Sequence, residues 1–400
     1  MKFAPLLLFS VVAWASAQDR VAVTFKVFPT NYELFFEGER LDYDVRGENL
    51  RTYALPEGDD RITLTAPLSV PQGLALSVKA GLPLVQTKLE PRQGALALLG
   101  EAATGQGPRS LAFSADGKHL FIGLLSQPGA DVYEVPSLKK TGQLAPPDPS
   151  GGTSDVMTVG SEVWVAGLDG RVMAFDAATL AYKSGAPLTG GGNAYLEDVG
   201  GHEAVVNWDT GQLLTIGPGF QAVASLTLNG SVRGFASANG LAYASLFDRG
   251  QIAVIDGSWK VKTLWNVGRA PRPVAAAGTH LFVGDMSDAS VLVLDAATGK
   301  VAATVAVASN PHQMIVSKDQ SLVAVASRGK NNPDDYQRAG PEFGKVTLFL
   351  ASGAVAASVW GRNQPTGLAF SPDGKYLAFT DLLDNNVELY RVKVPAPVRR

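Results

Sequence analysis

Gly107-Pro108-Arg109-Ser110-Leu111-Ala112-Phe113-Ser114-Ala115-Asp116-Gly117-Lys118 returns near the far end of the chain as Gln364-Pro365-Thr366-Gly367-Leu368-Ala369-Phe370-Ser371-Pro372-Asp373-Gly374-Lys375. Shorter copies stand between the two, at Ala270-Pro271-Arg272-Pro273-Val274-Ala275-Ala276 and Asn310-Pro311-His312-Gln313-Met314-Ile315-Val316. Pro271 and Pro311 are 40 residues apart, and the 163 residues from Pro108 to Pro271 make close to four such steps. A period of about 40 residues filled with short strands is the signature of a β-propeller, in which each repeat is one four-stranded blade.

Every repeat reads alike. A short apolar strand meets an Asp-Gly turn; a second strand follows (119–123 in the first repeat), then a third running to an acidic turn (291–300) and a fourth (301–307). Asp-Gly between β-rich runs is a hairpin signal, because glycine takes positive φ without a Cβ clash. At the acidic turn, repeated at Asp176 and Asp256, the carboxylate can accept from backbone N–H groups two residues on. Weaker repeats have second strands at 163–167, 204–208 and 241–245 and begin near 153, 194 and 232, which brings the total to seven. The seventh stops after its third strand, 387–392, and the spare strand 94–100 can complete it and cover its open edge. The sequence therefore predicts an all-β chain. A seven-bladed propeller over 94–393, closed by its N-terminal strand, is preceded by a small β-sandwich over 20–92 and followed by a tail at 394–400.

The wording Pro-x-x-apolar-Ala-apolar-Ser-Pro-Asp-Gly-Lys-aromatic-Leu, followed by a third strand ending in Asp and a Thr-Gly-Lys turn, resembles the YVTN-type β-propeller repeat family over roughly 94–393. The resemblance implies the fold and little about activity, since propellers host unrelated functions. Residues 20–92 break the period, with β-rich runs at 21–28, 32–36, 61–65, 74–79 and 84–89. Within them, Tyr53-Ala54-Leu55-Pro56-Glu57-Gly58-Asp59-Asp60-Arg61-Ile62-Thr63-Leu64 resembles the PEGA domain, a small β-sandwich of surface and secreted bacterial proteins. The alternative is a β-sandwich of no special family. Pro91-Arg92-Gln93-Gly94 is the expected junction.

Lys2, the apolar run 6–13 and Ala15-Ser16-Ala17 form the three regions of a secretory signal peptide, with cleavage expected after Ala17. That run is too short to span a bilayer, and no other stretch is longer, so no transmembrane segment is expected. The expected location is the periplasm or the outside of the cell. The chain has no Cys, which excludes lipobox attachment, disulfides and thiol chemistry. Net charge is −3, charged residues are 18% of the chain, and no Lys/Arg run exceeds two residues. A broad basic face for nucleic acid is therefore not expected.

The first strand of each blade lines the central channel. The position after the starting proline, or its equivalent, holds Arg109, Ser154, Tyr195, Arg233, Arg272, His312 and Thr366. Three Arg and one His on one ring would focus a positive field able to hold a carboxylate, phosphate or sulfate. The alternative is that these side chains fan apart onto carbonyl groups and carboxylates of neighbouring blades. A second set sits at the second-strand ends: Asp209, Asp248, Asp285, Asp381 and Asp384, with Asp155, Glu197 and Asp198 nearby. Such carboxylates could hold Ca²⁺, but at one per blade they read more simply as turn caps. Pro311 to Pro365 spans 54 residues, and the excess falls in 328–344 of the sixth blade. Long loops on a rigid scaffold commonly carry binding, and here Asn331, Asn332, Asp334, Asp335, Tyr336 and Arg338 offer polar and apolar contacts. The alternative is a loop that merely packs on the next blade.

Catalytic templates fail. The four His show no HExxH-type pairing, no Gly-x-Ser-x-Gly precedes a helical pattern and no P-loop pattern exists. The reading favoured by these residues is a non-enzymatic binding or scaffold protein of the bacterial cell envelope, needing no cofactor. It would recognise a glycan, peptide or protein through the propeller rim and the sixth-blade loop. Two alternatives stay open: a lactonase-like Ca²⁺-dependent propeller hydrolase, which needs axial carboxylates, and a propeller subunit of a quinoprotein dehydrogenase, whose cofactor a partner would supply.

Overall fold

The computed structural model describes residues 20–28, 32–45, 50–65, 72–82, 84–89, 95–148, 151–198, 202–340 and 342–393. The expected leader at 1–17, the junction at 91–94 and the tail at 394–400 lie outside them. Among the described residues the chain is all-β, with one 3₁₀ turn at Pro218–Phe220. It divides into two compact units, one covering 1–66 and 72–89, the other 67–71 and 90–400.

The first unit holds two four-stranded sheets. Arg20–Phe28 lies between Leu50–Pro56, antiparallel, and Val85–Lys88, parallel. Glu33–Phe36 pairs with Gly58–Thr65, which pairs in turn with Gln72–Val78. Val23, Phe25 and Leu55 of one sheet share a core with Leu34, Ile62 and Leu64 of the other. The strand Leu50–Pro56 was not among the expected runs. Pro56 closes it, and Gly58, at φ 144°, opens the next strand.

The second unit has a β-propeller-like repeat architecture. Seven successive four-stranded antiparallel sheets follow one another. Their first strands are Pro108–Phe113, Thr153–Val159, Ala194–Asp198, Val232–Ala238, Pro271–Ala277, Pro311–Val316 and Pro365–Phe370. Neighbouring first strands touch in sequence, and the last touches the first, so they form a closed ring. Leu96–Ala103 pairs antiparallel with Asn386–Val392 and supplies the fourth strand of the last sheet. Each hydrophobic cluster straddles two neighbouring sheets: Phe121 and Val132 meet Val163 and Phe175, and Leu111 and Ile122 meet Ala378 and Leu389. Fourth strands such as Tyr182–Pro187 and Val301–Ala306 face water along most of their length.

The recurring turn words have a physical cause. Ser114 Oγ donates to Asp116 (2.6 Å) and accepts from the His119 N–H (2.9 Å), while Asp116 also accepts from the Lys118 N–H. Ser371, Asp373, Lys375 and Tyr376 repeat the arrangement at 2.7, 3.1 and 2.9 Å. Gly117 and Gly374 take φ of 72° and 70°, the left-handed region that a side chain disfavours. Asp373, gripped by Lys375 and then by Ser371, has its carboxyl pushed down to about 2.

Candidate functional site

The start of every first strand is held the same way. The residue just after each second strand donates its N–H to the carbonyl just before the first strand of the same sheet, at 2.8–3.3 Å. These donors are Leu125, Leu168, Trp208, Phe247, Met286, Arg328 and Leu382. Two side-chain layers therefore meet at one end of the channel: the first-strand ring read from sequence, and this second ring, apolar except at Arg328.

Five first-strand residues converge there. Arg109 donates to the Tyr195 hydroxyl, and Arg272 donates to His312 Nε2 at 2.5 Å. Arg233 donates to Ser231 Oγ at 3.0 Å. The Tyr195 and Trp208 rings stack at 3.5 Å and 13°. Around the indole of Trp208 lie the guanidinium carbons of Arg109 (5.6 Å), Arg233 (5.0 Å) and Arg272 (5.0 Å), a cation–π assembly. Arg233 also approaches Phe247, and Arg272 the sulfur of Met286. The other two positions of the ring do something else. Ser154 bonds the Ala166 and Ala194 carbonyls and Thr366 bonds the Gln364 carbonyl, so both serve the backbone.

Arg328 is the residue that sequence reasoning missed. It is 7% exposed and His312 is 6% exposed. Burial, then the charge of Arg109, pushes the Arg328 guanidinium down to about 9. Arg272 falls well below its ordinary range through burial, then through Arg328 and Arg109. Burial, then Arg272 and Arg328, pushes His312 well below its ordinary value, so the imidazole is neutral. Among the described residues no salt bridge joins Arg109, Arg233, Arg272 or Arg328 to a carboxylate. Arg109 Nε, Arg272 Nε, Arg328 Nε and His312 Nδ1 are buried without a hydrogen-bond partner. A buried donor without an acceptor costs free energy, and a buried unpaired charge costs more.

Below this collar lies a cavity of about 410 Å³, reached by Arg109, Tyr195, Trp208, Arg233 and His312 and, deeper, by Asp155 and Glu197. Asp155 spends both oxygens on Ser110 Oγ and on the Val156 and Leu196 N–H groups, tying three first strands together. Glu197 has no hydrogen bond to a described residue. Burial, then Asp155 and Asp198, pushes its carboxyl well above the ordinary range, so it is protonated near neutral pH.

The carboxylates at the second-strand ends act as caps. Asp248 accepts from the Ser231 N–H (2.8 Å), Asp285 from Arg269 N–H (2.8 Å), Asp381 from Arg362 N–H (2.8 Å) and Asp384 from Asn363 N–H (2.6 Å). Asp209 faces the Asn193 N–H at 3.4 Å. No group of three His, Asp or Glu among the described residues could hold a metal ion.

The sixth-repeat insertion joins Leu322–Ser327 to Lys345–Leu350 and stands on the same side as the collar. Its base is pinched. A Cβ on Gly340 would lie 1.9 Å from the Lys330 carbonyl, and one on Gly344 2.2 Å from that of Ser327. Asn332 holds the loop together by bonding the Ala339 carbonyl and the Asp334 N–H, and Asp335 caps Gln337. Gln364 donates to the Tyr336 carbonyl, fastening the loop to the seventh sheet. Asp334, Asp335, Tyr336 and Arg338 are exposed, Asn331 is half-buried with an unpartnered carbonyl oxygen, and Tyr336 lies within electrostatic reach of Arg328. The loop thus delivers Arg328 to the collar and sets its tip beside it.

No protein-family model matches the chain. Over 312 residues it is 28% identical to Antigen Lp49 of Leptospira interrogans (serogroup Icterohaemorrhagiae serovar copenhageni, strain Fiocruz L1-130). The match covers 72% of this chain and 68% of that protein. No helix among the described residues is long and apolar enough to cross a membrane.

Proposed function

We propose that this chain is an exported, non-enzymatic binding protein of the bacterial cell envelope, acting in the periplasm or outside the cell. A PEGA-like β-sandwich would precede a seven-bladed YVTN-type propeller closed by Leu96–Ala103. The propeller takes an anionic group of a glycan, peptide or protein partner at its channel mouth, beside the sixth-blade loop. One observation carries this reading: Arg109, Arg233, Arg272 and Arg328 crowd around Trp208 and His312 with no carboxylate salt bridge among the described residues. Folding alone gains nothing from such a cluster, whereas an arriving anion relieves mutual repulsion and supplies acceptors for idle donors. Likeness to a bacterial antigen supports an envelope role.

The test is the double variant Arg109→Ala/Arg272→Ala against wild type, with binding to acidic and neutral glycans read by thermal shift and calorimetry. The expected result is a stabilising, salt-sensitive interaction of wild type with acidic glycans that the double variant loses. Equal binding by both proteins would make the collar structural.

A further inference from the structure

We infer that the collar is built for a doubly charged tetrahedral oxyanion, a phosphate monoester, carried on a hydroxylated body that reaches Glu197: the chemistry of a sugar phosphate. The inference rests on the anion-binding reading above and narrows it.

Charge is the first argument. Four guanidiniums face one small volume, and a carboxylate brings one negative charge where a phosphate monoester brings about −1.5 to −2 at pH 7. Donor geometry is the second. Arginine can only donate, so His312 accepts from Arg272 at Nε2 and, being neutral, carries its proton on the idle Nδ1. The other idle donors are the Nε–H groups of Arg109, Arg272 and Arg328. With His312 they come from the first, fifth and sixth repeats and surround the mouth instead of lying in one plane. Three terminal oxygens in a tetrahedron answer that arrangement better than two coplanar carboxylate oxygens. Arg109 donates to the Tyr195 hydroxyl, so that hydroxyl keeps its own proton for a ligand oxygen.

Glu197 supplies the third argument. It lies two residues beyond Tyr195 on Ala194–Asp198, about 7 Å along the strand at strand rise, and reaches the same cavity. A protonated carboxyl can both donate to and accept from a sugar hydroxyl, and this one has no hydrogen bond to a described residue. The cavity of about 410 Å³ has room for one sugar ring.

Calorimetry on the full mature chain at pH 7 with four probes decides the matter: glucose 6-phosphate, glucuronate, inorganic phosphate and glucose. The expected order is glucose 6-phosphate at least tenfold tighter than glucuronate, inorganic phosphate weaker than the sugar phosphate, and glucose without measurable binding. Glu197→Ala should weaken glucose 6-phosphate about tenfold and leave inorganic phosphate unchanged. Arg328→Gln should weaken both phosphates and keep the circular dichroism spectrum of wild type. If glucuronate binds as tightly as glucose 6-phosphate, the anion site stands and the dianion assignment falls. If Glu197→Ala affects neither probe, the hydroxyl contact is wrong. If no anion binds, this inference and the function on which it rests fall together.

Discussion

Arg328→Met removes one charge from the collar while keeping a side chain of similar length, and its effect on stability can be worked from the structure. Burial and the nearby Arg109 charge bring the Arg328 guanidinium down to about 9 from an ordinary value above 12. At 1.36 kcal/mol per pKa unit, keeping it charged costs the native state about 5 kcal/mol. Replacing buried charges by well-packed apolar side chains gains 1–4 kcal/mol in measured systems, so about 2–4 kcal/mol is the expected gain here. The backbone bond from Arg328 N–H to Asn310 survives the change, and Met286 already shows that a methionine fits this ring. For a domain of this size 1 kcal/mol corresponds to about 2 °C in Tm, so Arg328→Met should melt about 4–8 °C above wild type. The assay is thermal unfolding followed by far-UV circular dichroism, in buffer free of phosphate and sulfate. Arg328→Lys is the control, because it keeps the charge and should bring no such gain. A methionine variant that melts at or below wild type, with the lysine variant unchanged, would refute the argument that these guanidiniums repel one another uncompensated.

Three further outcomes test other parts of the site and fold. Trp208→Ala removes the ring stacked on Tyr195 and faced by three guanidiniums, and should cost about 3–5 kcal/mol in urea unfolding; a loss under 1 kcal/mol would mean that the indole is not the hub. Leu96, 1% exposed on the closing strand, packs with Leu322, Val359 and Leu377, so Leu96→Ala should cost about 2–4 kcal/mol and lower the Tm; an unchanged denaturation midpoint would argue against closure by this strand. Glu197 has a native pKa raised above its unfolded value, so its contribution favours folding most in acid and is progressively lost as pH rises above the unfolded carboxyl range near 4.3. Glu197→Gln should therefore match wild type at pH 4.5 and exceed it by about 1 kcal/mol or more at pH 8, and identical stability profiles from pH 4.5 to 8 would show the carboxyl to be ordinarily solvated.

What the sequence disclosed, and what it hid, follow from where the physical constraint lies. The repeat was visible because its turns are made by side chains: Ser114, Asp116 and Gly117 bond one another within a few residues, and the same chemistry demands the same letters at Ser371, Asp373 and Gly374. First-strand positions were legible for the same reason, since their starts are marked by proline. Arg328 was hidden because the second ring is fixed by a backbone bond, and a backbone N–H leaves no signature in residue type: Leu125, Trp208, Met286 and Arg328 all satisfy it equally. Ser154 and Thr366 show the opposite limit, where the sequence register holds but a short hydroxyl turns to the nearest carbonyl. Counting residues from each second strand to the next first strand would have aligned the second ring without any structure. That alignment carries its own functional argument. Six of its seven positions are apolar, as a position packed at a channel mouth should be, and the one charged exception falls in the one repeat with a long insertion. Packing of the ring explains neither departure, and the insertion's pinched base and its Tyr336 bond to Gln364 keep both on the collar side. A charge that weakens the fold, delivered by a loop that folding does not need, is the arrangement expected where a ligand completes the structure.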